Sequence, residues 1–180
     1  MRAYKAFNIG LKCRGYQFVE GKNVTDEANC VKNGFHCAEN PIDCLTYYPN
    51  VKTSEYWVVD AGGDIDEDAT DSKIACTELT TIKKLTLNEY MIHCLAWMAK
   101  HPESRNHSYV NNDDGVAGRG FCIVVGNNPM AKGKKEGDVL ALLQIDKKGQ
   151  AIAMGIYTVG ERGFEPDKYY DVMGQEREYV

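Results

Sequence analysis

The sequence LNEYMIHCLAWMAK, residues 87–100, contains the clearest helical pattern of the chain. Five apolar residues recur there at helical spacing and share one face: Leu87, Met91, Cys94, Leu95 and Met98. Pro102 follows, and proline cannot continue a helix. The pattern predicts one amphipathic helix over about 87–100, with its apolar face packed across an N-terminal sheet.

The sequence on both sides of this helix has the composition of β-strands, rich in aromatic and β-branched residues. Before the helix, strands are predicted at 4–7, 15–19, 55–60 and 74–82, the first two as a hairpin. After the helix, strands are predicted at 121–125, 139–145 and 151–159, with edge strands at 169–173 and 178–180. The turn Asp146-Lys147-Lys148-Gly149 is expected to join two of them as a second hairpin.

A second, short helix is predicted at about 41–48, with Asn40 as its cap, Pro41 in its first position and Pro49 after its end. The fold class is therefore α+β, a sheet-rich mixed fold with one main helix. The polar, aperiodic segment 101–108 is the expected module boundary. It divides the chain into an N-terminal α+β module at 1–105 and a C-terminal β-rich module at 106–180, which share one core.

The chain has 180 residues, a formal net charge of −5 and 43% hydrophobic residues, which is ordinary for a globular protein. No apolar run approaches the ~18 residues of a membrane span, and no leader pattern opens the chain, so a cytoplasmic location is expected. The seven cysteines are expected to stay reduced. Cys30, Cys37 and Cys44 lack the close pairing of zinc ligands, so we predict no metal site and no cofactor.

Acidic residues concentrate in one segment that contains no lysine or arginine before Lys73. These residues are Asp60, Asp64, Asp66, Glu67, Asp68 and Asp71. The segment lacks the turn glycine and the final glutamate of an EF-hand, so it does not predict a calcium site. It is either a solvated loop or a surface that docks on a strongly basic partner.

Aromatic residues also favour binding. The chain has eleven tyrosines and two tryptophans, and Tyr47, Tyr48 and Tyr109 are among those flanked by polar residues. Tyrosine and tryptophan are enriched at the energetic centres of protein interfaces. These three tyrosines are therefore predicted to contact a partner.

The most idiosyncratic stretches of the sequence are MRAYKAFN (1–8), CRGYQF (13–18) and GFHCAENPIDC (34–44). Through them the chain resembles a family of bacteriophage and prophage proteins of gut bacteria. Many proteins of that family have a long array of short Gly/Ala/Ser-rich repeats between two halves, an arrangement typical of solenoids. In this chain only 111–133 has such a glycine-punctuated character, enough for one or two residual rungs.

The resemblance implies a phage-encoded, non-enzymatic inhibitor of bacterial defence that works in the host cell cytoplasm. The favoured target is Cas9 with its guide RNA, which makes the chain a type II anti-CRISPR that blocks DNA binding or cleavage. Its partner surface would comprise Asp64, Asp66, Glu67, Asp68, Asp71, Tyr47, Tyr48 and Tyr109. No membrane contact and no direct nucleic-acid binding are expected.

An enzymatic alternative remains open. The N-terminal third is similar to the start of divergent ADP-ribosyltransferase folds, an enzyme class that would modify a host protein. The residues that carry this similarity are Arg2, Tyr4, Gly34, Phe35, His36, Tyr47 and Tyr48. Such an enzyme needs a carboxylate on the ribose, and Glu176 and Glu178 have a suitable spacing.

A homodimer is also possible. Uncovered strand edges at 121–125 or 151–159 would tend to pair, most simply as a symmetric dimer. Lys147 and Lys148 beside the second of these strands could instead keep it single. The sequence leaves both outcomes open.

Overall fold

The computed structural model describes residues 1–29, 32–67 and 72–179. The chain folds as two compact units, residues 1–86 and 87–180. Strands dominate both units, and two α-helices accompany them among the described residues, so the predicted α+β class is confirmed. No helix within these described ranges is long and apolar enough to cross a membrane.

The N-terminal unit is built on one seven-stranded sheet. Its strands are β1 (Arg2–Asn8), β2 (Lys12–Cys13), β3 (Tyr16–Gln17), β4 (Lys22–Val24), β5 (Phe35–Ala38), β6 (Ser54–Glu67) and β7 (Lys73–Leu85). β6 and β7 form a long antiparallel hairpin, and β1 pairs with β6 along its whole length. β5 pairs with both β7 and β1, so the path β1, β6, β7, β5 returns to its start.

The closure of this ring is uneven. β1 meets β6 through seven consecutive residue pairs, and β5 meets β7 through four. By contrast, β1 and β5 meet only at Tyr4 and Ala38. Beyond that one pair the two strands separate, and we call this place the seam.

One apolar cluster of the N-terminal unit lies on one face of these strands. Alternation along β1 places Ala3, Lys5 and Phe7 on the same side. Ala3 and Phe7 are fully buried in one apolar cluster with Val59 of β6 and Leu79 of β7. Lys5, between them, is only 4% exposed, so a cation lies on the core face of the sheet.

The predicted short helix is confirmed as a 3₁₀ turn, Pro41–Asp43, that continues into α1 (Cys44–Tyr47). The side-chain oxygen of Asn40 accepts a hydrogen bond from the backbone N–H of Ile42 at 3.3 Å, as expected of a cap. Ile42 and Leu45 are completely buried and fix the segment to the unit.

The C-terminal unit contains α2 (Leu87–Lys100), which has the predicted bounds and is followed by a 3₁₀ turn, Pro102–Asn106. Its strands are β8 (Val110–Val116), β9 (Phe121–Lys132), β10 (Val139–Ile145), β11 (Ala151–Thr158), β12 (Tyr169–Asp171) and β13 (Glu176–Arg177). α2 packs on β10 and β11, and Asn88 donates a hydrogen bond to the Thr158 hydroxyl at 2.9 Å.

The helix therefore belongs to the C-terminal unit, whereas the sequence predicted that it packs across the N-terminal sheet. The two units divide between residues 86 and 87, whereas the sequence predicted a boundary after residue 105. The amphipathic pattern shows that a helix has a partner, but it does not say which sheet the partner is.

Three strands of the C-terminal unit are stacked in parallel, in chain order. Val110 of β8 lies opposite Ile123 of β9, and Phe121 of β9 lies opposite Val139 of β10. Parallel pairing of successive short coils is the arrangement of solenoid rungs. The glycine-punctuated segment 111–133 takes part in this parallel stack. Its origin as residual repeat rungs stays a prediction.

Several strand predictions need correction. β1 pairs mainly with β6 and does not form a hairpin with 15–19, because β6 offers seven partners and only Tyr16–Gln17 of that segment is extended. Residues 64–67 continue β6 and are not part of a loop.

β9 is an interior strand, paired with β8, β10 and β12, so the predicted edge at 121–125 is wrong. The extended segment near the C-terminus is Glu176–Arg177, not 178–179, and Val180 lies outside the described residues.

β11 is at one end of the C-terminal sheet, so the predicted edge at 151–159 is confirmed. Ile152 and Met154 of this strand are exposed. The hairpin through Gly149 that joins β10 to β11 is also confirmed. Dimerisation through this edge stays a prediction.

Close contact between rungs requires glycine at position 126. A Cβ placed there would lie 2.9 Å from the backbone Cα of Asp113 in the neighbouring strand. We therefore expect Gly126→Ala to destabilise the C-terminal unit by about 1–3 kcal/mol, measured by urea unfolding. Gly118→Ala is the matched control, because a Cβ at Gly118 meets nothing within 4 Å. Equal stability of the two variants would contradict this account of the packing.

Candidate functional site

A cavity of about 670 Å³ opens at the seam of the N-terminal unit. β1 and β5 supply two of its walls, the β2–β3 turn supplies a third, and residues 43–48 supply a fourth. The stretches 13–18 and 34–44, which stand out in the sequence, both contribute to its lining. The cavity therefore lies where the closure of the ring is uneven.

The ammonium group of Lys5 lies at the bottom of the seam. Its Nζ donates a hydrogen bond to the carbonyl oxygen of His36 at 2.5 Å and lies 3.8 Å from Cys13 Sγ. The ring centroids of Phe7 and Phe18 are each 5.1 Å from Nζ, which is within the range of a cation–π interaction.

None of the carboxylates in the described residues forms an ion pair with Lys5. Burial of a charge is costly unless the charge is paired, and carbonyl and π contacts compensate it only in part. Lys5 is one of the residues that line the cavity, so an anion in the cavity can approach its ammonium group. Lys5 is thus a fixed, buried positive charge beside an open space.

Further cations surround the same cavity, although the chain as a whole has a net charge of −5. Arg14, Lys32 and Lys73 line it, and Asp43 is the one acidic residue among the described lining residues. The pKa of His36 is lowered by burial and then by the nearby charges of Lys5, Arg14 and Lys73. The neutral form of His36 is therefore favoured, and the cavity has a positive potential.

Arg14 is held in the cavity wall by an unusual backbone conformation. It has φ 47° and is followed by Gly15 with φ 81°, in the two-residue turn between β2 and β3. Such turns need positive φ at both central positions, and Asn-Gly is the preferred pair. An arginine in the left-handed region costs about 1–3 kcal/mol.

Three aromatic rings form one side of the cavity. The centroids of Tyr16 and Phe18 are 4.6 Å apart, and both rings also contact Phe35. Phe18 and Phe35 are buried, whereas Tyr16 is 44% exposed. In this aromatic wall, formed by Tyr16, Phe18 and Phe35, the ring of Tyr16 is the one exposed enough for a planar group to stack on it.

Tyr48 and Cys13 meet at the edge of the cavity. The Tyr48 hydroxyl donates a hydrogen bond to Cys13 Sγ at 3.1 Å. Burial and this hydrogen bond raise the pKa of Tyr48, so its hydroxyl stays protonated. Cys44 also lines the cavity, and burial raises its pKa to about 12.

Residues 1–93 match a family model described as a domain of unknown function, DUF7666. The chain belongs to the DUF7666 family. The matched region contains every described lining residue of the cavity. No curated protein and no solved structure matches the chain.

The predicted partner residues of this DUF7666 protein lie in three places. Tyr47 and Tyr48 line the cavity. Asp64, Asp66 and Glu67 are exposed near the end of β6, whereas Asp68 and Asp71 lie outside the described residues. Tyr109 belongs to the C-terminal unit, where its hydroxyl accepts a hydrogen bond from Arg119 at 2.9 Å beside a smaller cleft of about 370 Å³.

The residues of the enzymatic alternative are mostly brought together. Six of them line the cavity: Tyr4, Gly34, Phe35, His36, Tyr47 and Tyr48. Arg2 is exposed and is not part of the described lining. Glu176 and Glu178 belong to the C-terminal unit, where Glu176 forms an ion pair with Lys168 at 3.0 Å.

A carboxylate is nevertheless present in the cavity wall. Asp43 accepts hydrogen bonds from the Ser72 hydroxyl at 2.6 Å and from the Asn40 amide at 3.2 Å. No group of three His, Cys, Asp or Glu side chains in the described ranges is placed to hold a metal ion.

Sequence reasoning missed four residues that define the DUF7666 cavity: Lys5, Cys13, Arg14 and Lys73. One signal could have found Lys5, because it interrupts the apolar face of a strand between Ala3 and Phe7. Arg14 before Gly15 is a second signal, since this pair occupies the position of a tight turn.

The lowered pKa of His36 has a consequence for stability. In the unfolded chain the pKa of His36 is about 6.5, so around and below that pH the unfolded state binds the proton more readily than the folded state does. Stability therefore falls as pH decreases through about 6.5 towards the lowered folded pKa. We expect the imidazole of His36 to titrate below about 6.5 by NMR, and His36→Gln to lose less stability between pH 7.5 and 5.5 than the parent. A pKa of His36 above that of a model peptide would contradict the positive potential.

Proposed function

We propose that the N-terminal unit is a binding module for a small anionic ligand with a planar group, a combination that nucleotides provide. The observation that carries the proposal is the buried Lys5, which lines the cavity and whose ammonium group has no carboxylate partner in the described residues. An anion in the cavity would compensate this charge, so its binding would offset part of the free-energy cost of burying the ammonium group.

The arrangement of the other groups supports a ligand with two chemical parts. Arg14, Lys32 and Lys73 surround the cavity and can contact several anionic oxygens at once. The aromatic wall lies in the same cavity. Stacking of a base on an aromatic side chain contributes about 1–3 kcal/mol, comparable to a charged hydrogen bond.

Catalysis of ADP-ribosyl transfer is the enzymatic form of this proposal. The cavity lining supports this alternative, because it contains six of the seven N-terminal residues that carry the similarity to ADP-ribosyltransferases. It also contains Asp43, which supplies a carboxylate. NAD and ADP-ribose are therefore the first ligands to try. A binding module leaves NAD intact, whereas a transferase turns it over at low enzyme-to-target ratios.

We expect ADP-ribose to bind the protein in isothermal titration calorimetry, and Lys5→Met to weaken binding at least about tenfold, the loss of one charged hydrogen bond. Lys5→Met keeps the length of the side chain and removes a charge that is only partly compensated. It also removes the hydrogen bond to His36 at the seam, so circular dichroism and urea unfolding of the variant must first show a folded protein. Arg14→Gly should weaken binding similarly while relieving the left-handed strain.

Arg162→Gly is the matched control for Arg14→Gly. Arg162 also has a left-handed backbone, φ 51°, but it is an exposed residue of the C-terminal unit. This variant should bind ADP-ribose as the parent does. The proposal is overturned if ADP-ribose, NAD and pyrophosphate all fail to bind at millimolar concentration, or if the Arg14 and Arg162 variants behave alike.

A second candidate function is inhibition of a bacterial defence complex, with the Cas9–guide complex as the favoured target. It is supported by the resemblance to phage proteins and by the exposed acidic side chains of Asp64, Asp66 and Glu67 near the end of β6. Nucleic-acid channels of such complexes are positively charged, so the exposed carboxylates near the end of β6 have a charge that is suitable for docking there.

For this candidate, reversal of Asp64, Asp66 and Glu67 to Lys should slow association with guide-loaded Cas9 by about tenfold or more, and added salt should reduce the difference. The control variant replaces three exposed glutamates elsewhere in the chain, Glu20, Glu161 and Glu178, with Lys, which gives the same change in net charge. Inhibition of cleavage should be stoichiometric and independent of NAD. If the parent protein forms no complex at micromolar concentration, this candidate is excluded.

A further inference from the structure

Cys13 differs from the other described cysteines in its exposure. Cys37, Cys44, Cys76, Cys94 and Cys122 are buried, whereas Cys13 is partly exposed. Cys13 lines the cavity, at the end of β2 and next to Arg14. A reagent that enters the cavity can therefore reach this thiol before the buried ones.

The charged groups around Cys13 favour an anionic reagent over a cationic one. The Lys5 ammonium, buried and without a carboxylate partner in the described ranges, lies 3.8 Å from Sγ. Arg14 follows Cys13 in the chain, and Lys73 lines the same cavity. A confined positive potential raises the local concentration of anions and lowers that of cations. The Tyr48 hydroxyl, 3.1 Å from Sγ, orients the sulfur at the cavity edge.

We propose that Cys13 is a thiol-modification site for anionic disulfides, of which glutathione disulfide is the common example, and that the attached anionic thiol occupies the cavity. The Cys13 thiol gives its proton to the solvent, and its sulfur attacks one sulfur of the disulfide. A new S–S bond forms, the reagent's S–S bond breaks, and the second thiolate leaves with the electron pair. The disulfide is the oxidant, and an external thiol reverses the step.

The modification would compete with the ligand of the cavity. The attached group places its carboxylates near Lys5 and Arg14, where the anion of the proposed ligand would bind. This consequence rests on the proposed function, whereas the reactivity of Cys13 does not. Modification would thus close the binding site under oxidising conditions and reopen it on reduction.

The experiment compares two reagents of opposite charge on the full chain: the dianionic 5,5′-dithiobis(2-nitrobenzoate) and the dicationic cystamine. Each rate constant is divided by the rate constant of N-acetylcysteine amide with the same reagent, which removes intrinsic reactivity. We expect the normalised rate to favour the anionic reagent by about tenfold or more at low salt, and this preference to shrink at high salt. Mass spectrometry should locate the first modification at Cys13.

Variants assign the effect to named groups. Cys13→Ser should abolish the fast reaction, whereas Cys122→Ser, which removes a buried thiol of the C-terminal unit, should leave it unchanged. Lys5→Met should reduce the preference for the anionic reagent and keep the thiol. First modification at another cysteine, or equal normalised rates for both reagents, would overturn the proposal.

A final measurement separates this inference from the proposed function. Protein modified with glutathione should lose ADP-ribose binding and regain it after reduction. If ADP-ribose binds modified and unmodified protein equally, occlusion of the cavity is wrong. If the unmodified protein does not bind ADP-ribose, the proposed function fails, and the rates and mass spectra still decide whether Cys13 is the modification site.

Discussion

The hydrogen bond from the Lys5 ammonium to the carbonyl oxygen of His36 links β1 and β5 where the two strands no longer pair through their backbones. Elsewhere the ring of strands is closed by continuous ladders, of seven residue pairs between β1 and β6 and four between β5 and β7. At the seam, a side-chain hydrogen bond therefore joins two strands, whereas elsewhere in the ring backbone hydrogen bonds join them. Because that side chain is charged and buried, the same contact that closes the ring also gives the cavity its polarity.

Local signals were sufficient for much of this fold. The helix at Leu87–Lys100 has its expected bounds because its apolar spacing and the following proline act within a few turns. The cap at Asn40 and the short helix after it depend equally on neighbouring residues. Tyr47 and Tyr48 were expected at a binding site and line the cavity, because both lie at the end of that short helix.

Other features depend on pairing with another strand, which the pattern of the residues themselves does not encode. Lys5 lines a cavity only because β1 pairs with β6, more than forty residues later in the chain, and leaves β5 after one residue pair. Asp64, Asp66 and Glu67 have a composition typical of loops, yet they are extended because β7 continues alongside them through Ile74, Ala75 and Cys76. In both places tertiary pairing overrides local preference, as is common in sheets.

The parallel stack of β8, β9 and β10 means that each coil of the chain contacts the coil before it and the coil after it. In such a one-dimensional stack, stability is a sum of terms between neighbours. An insertion of one residue within a rung would turn the side chains that follow it in that strand to the opposite face, whereas a whole inserted coil would keep the alternation of every strand. We therefore expect changes of length in this part of the chain to be tolerated best in complete coils.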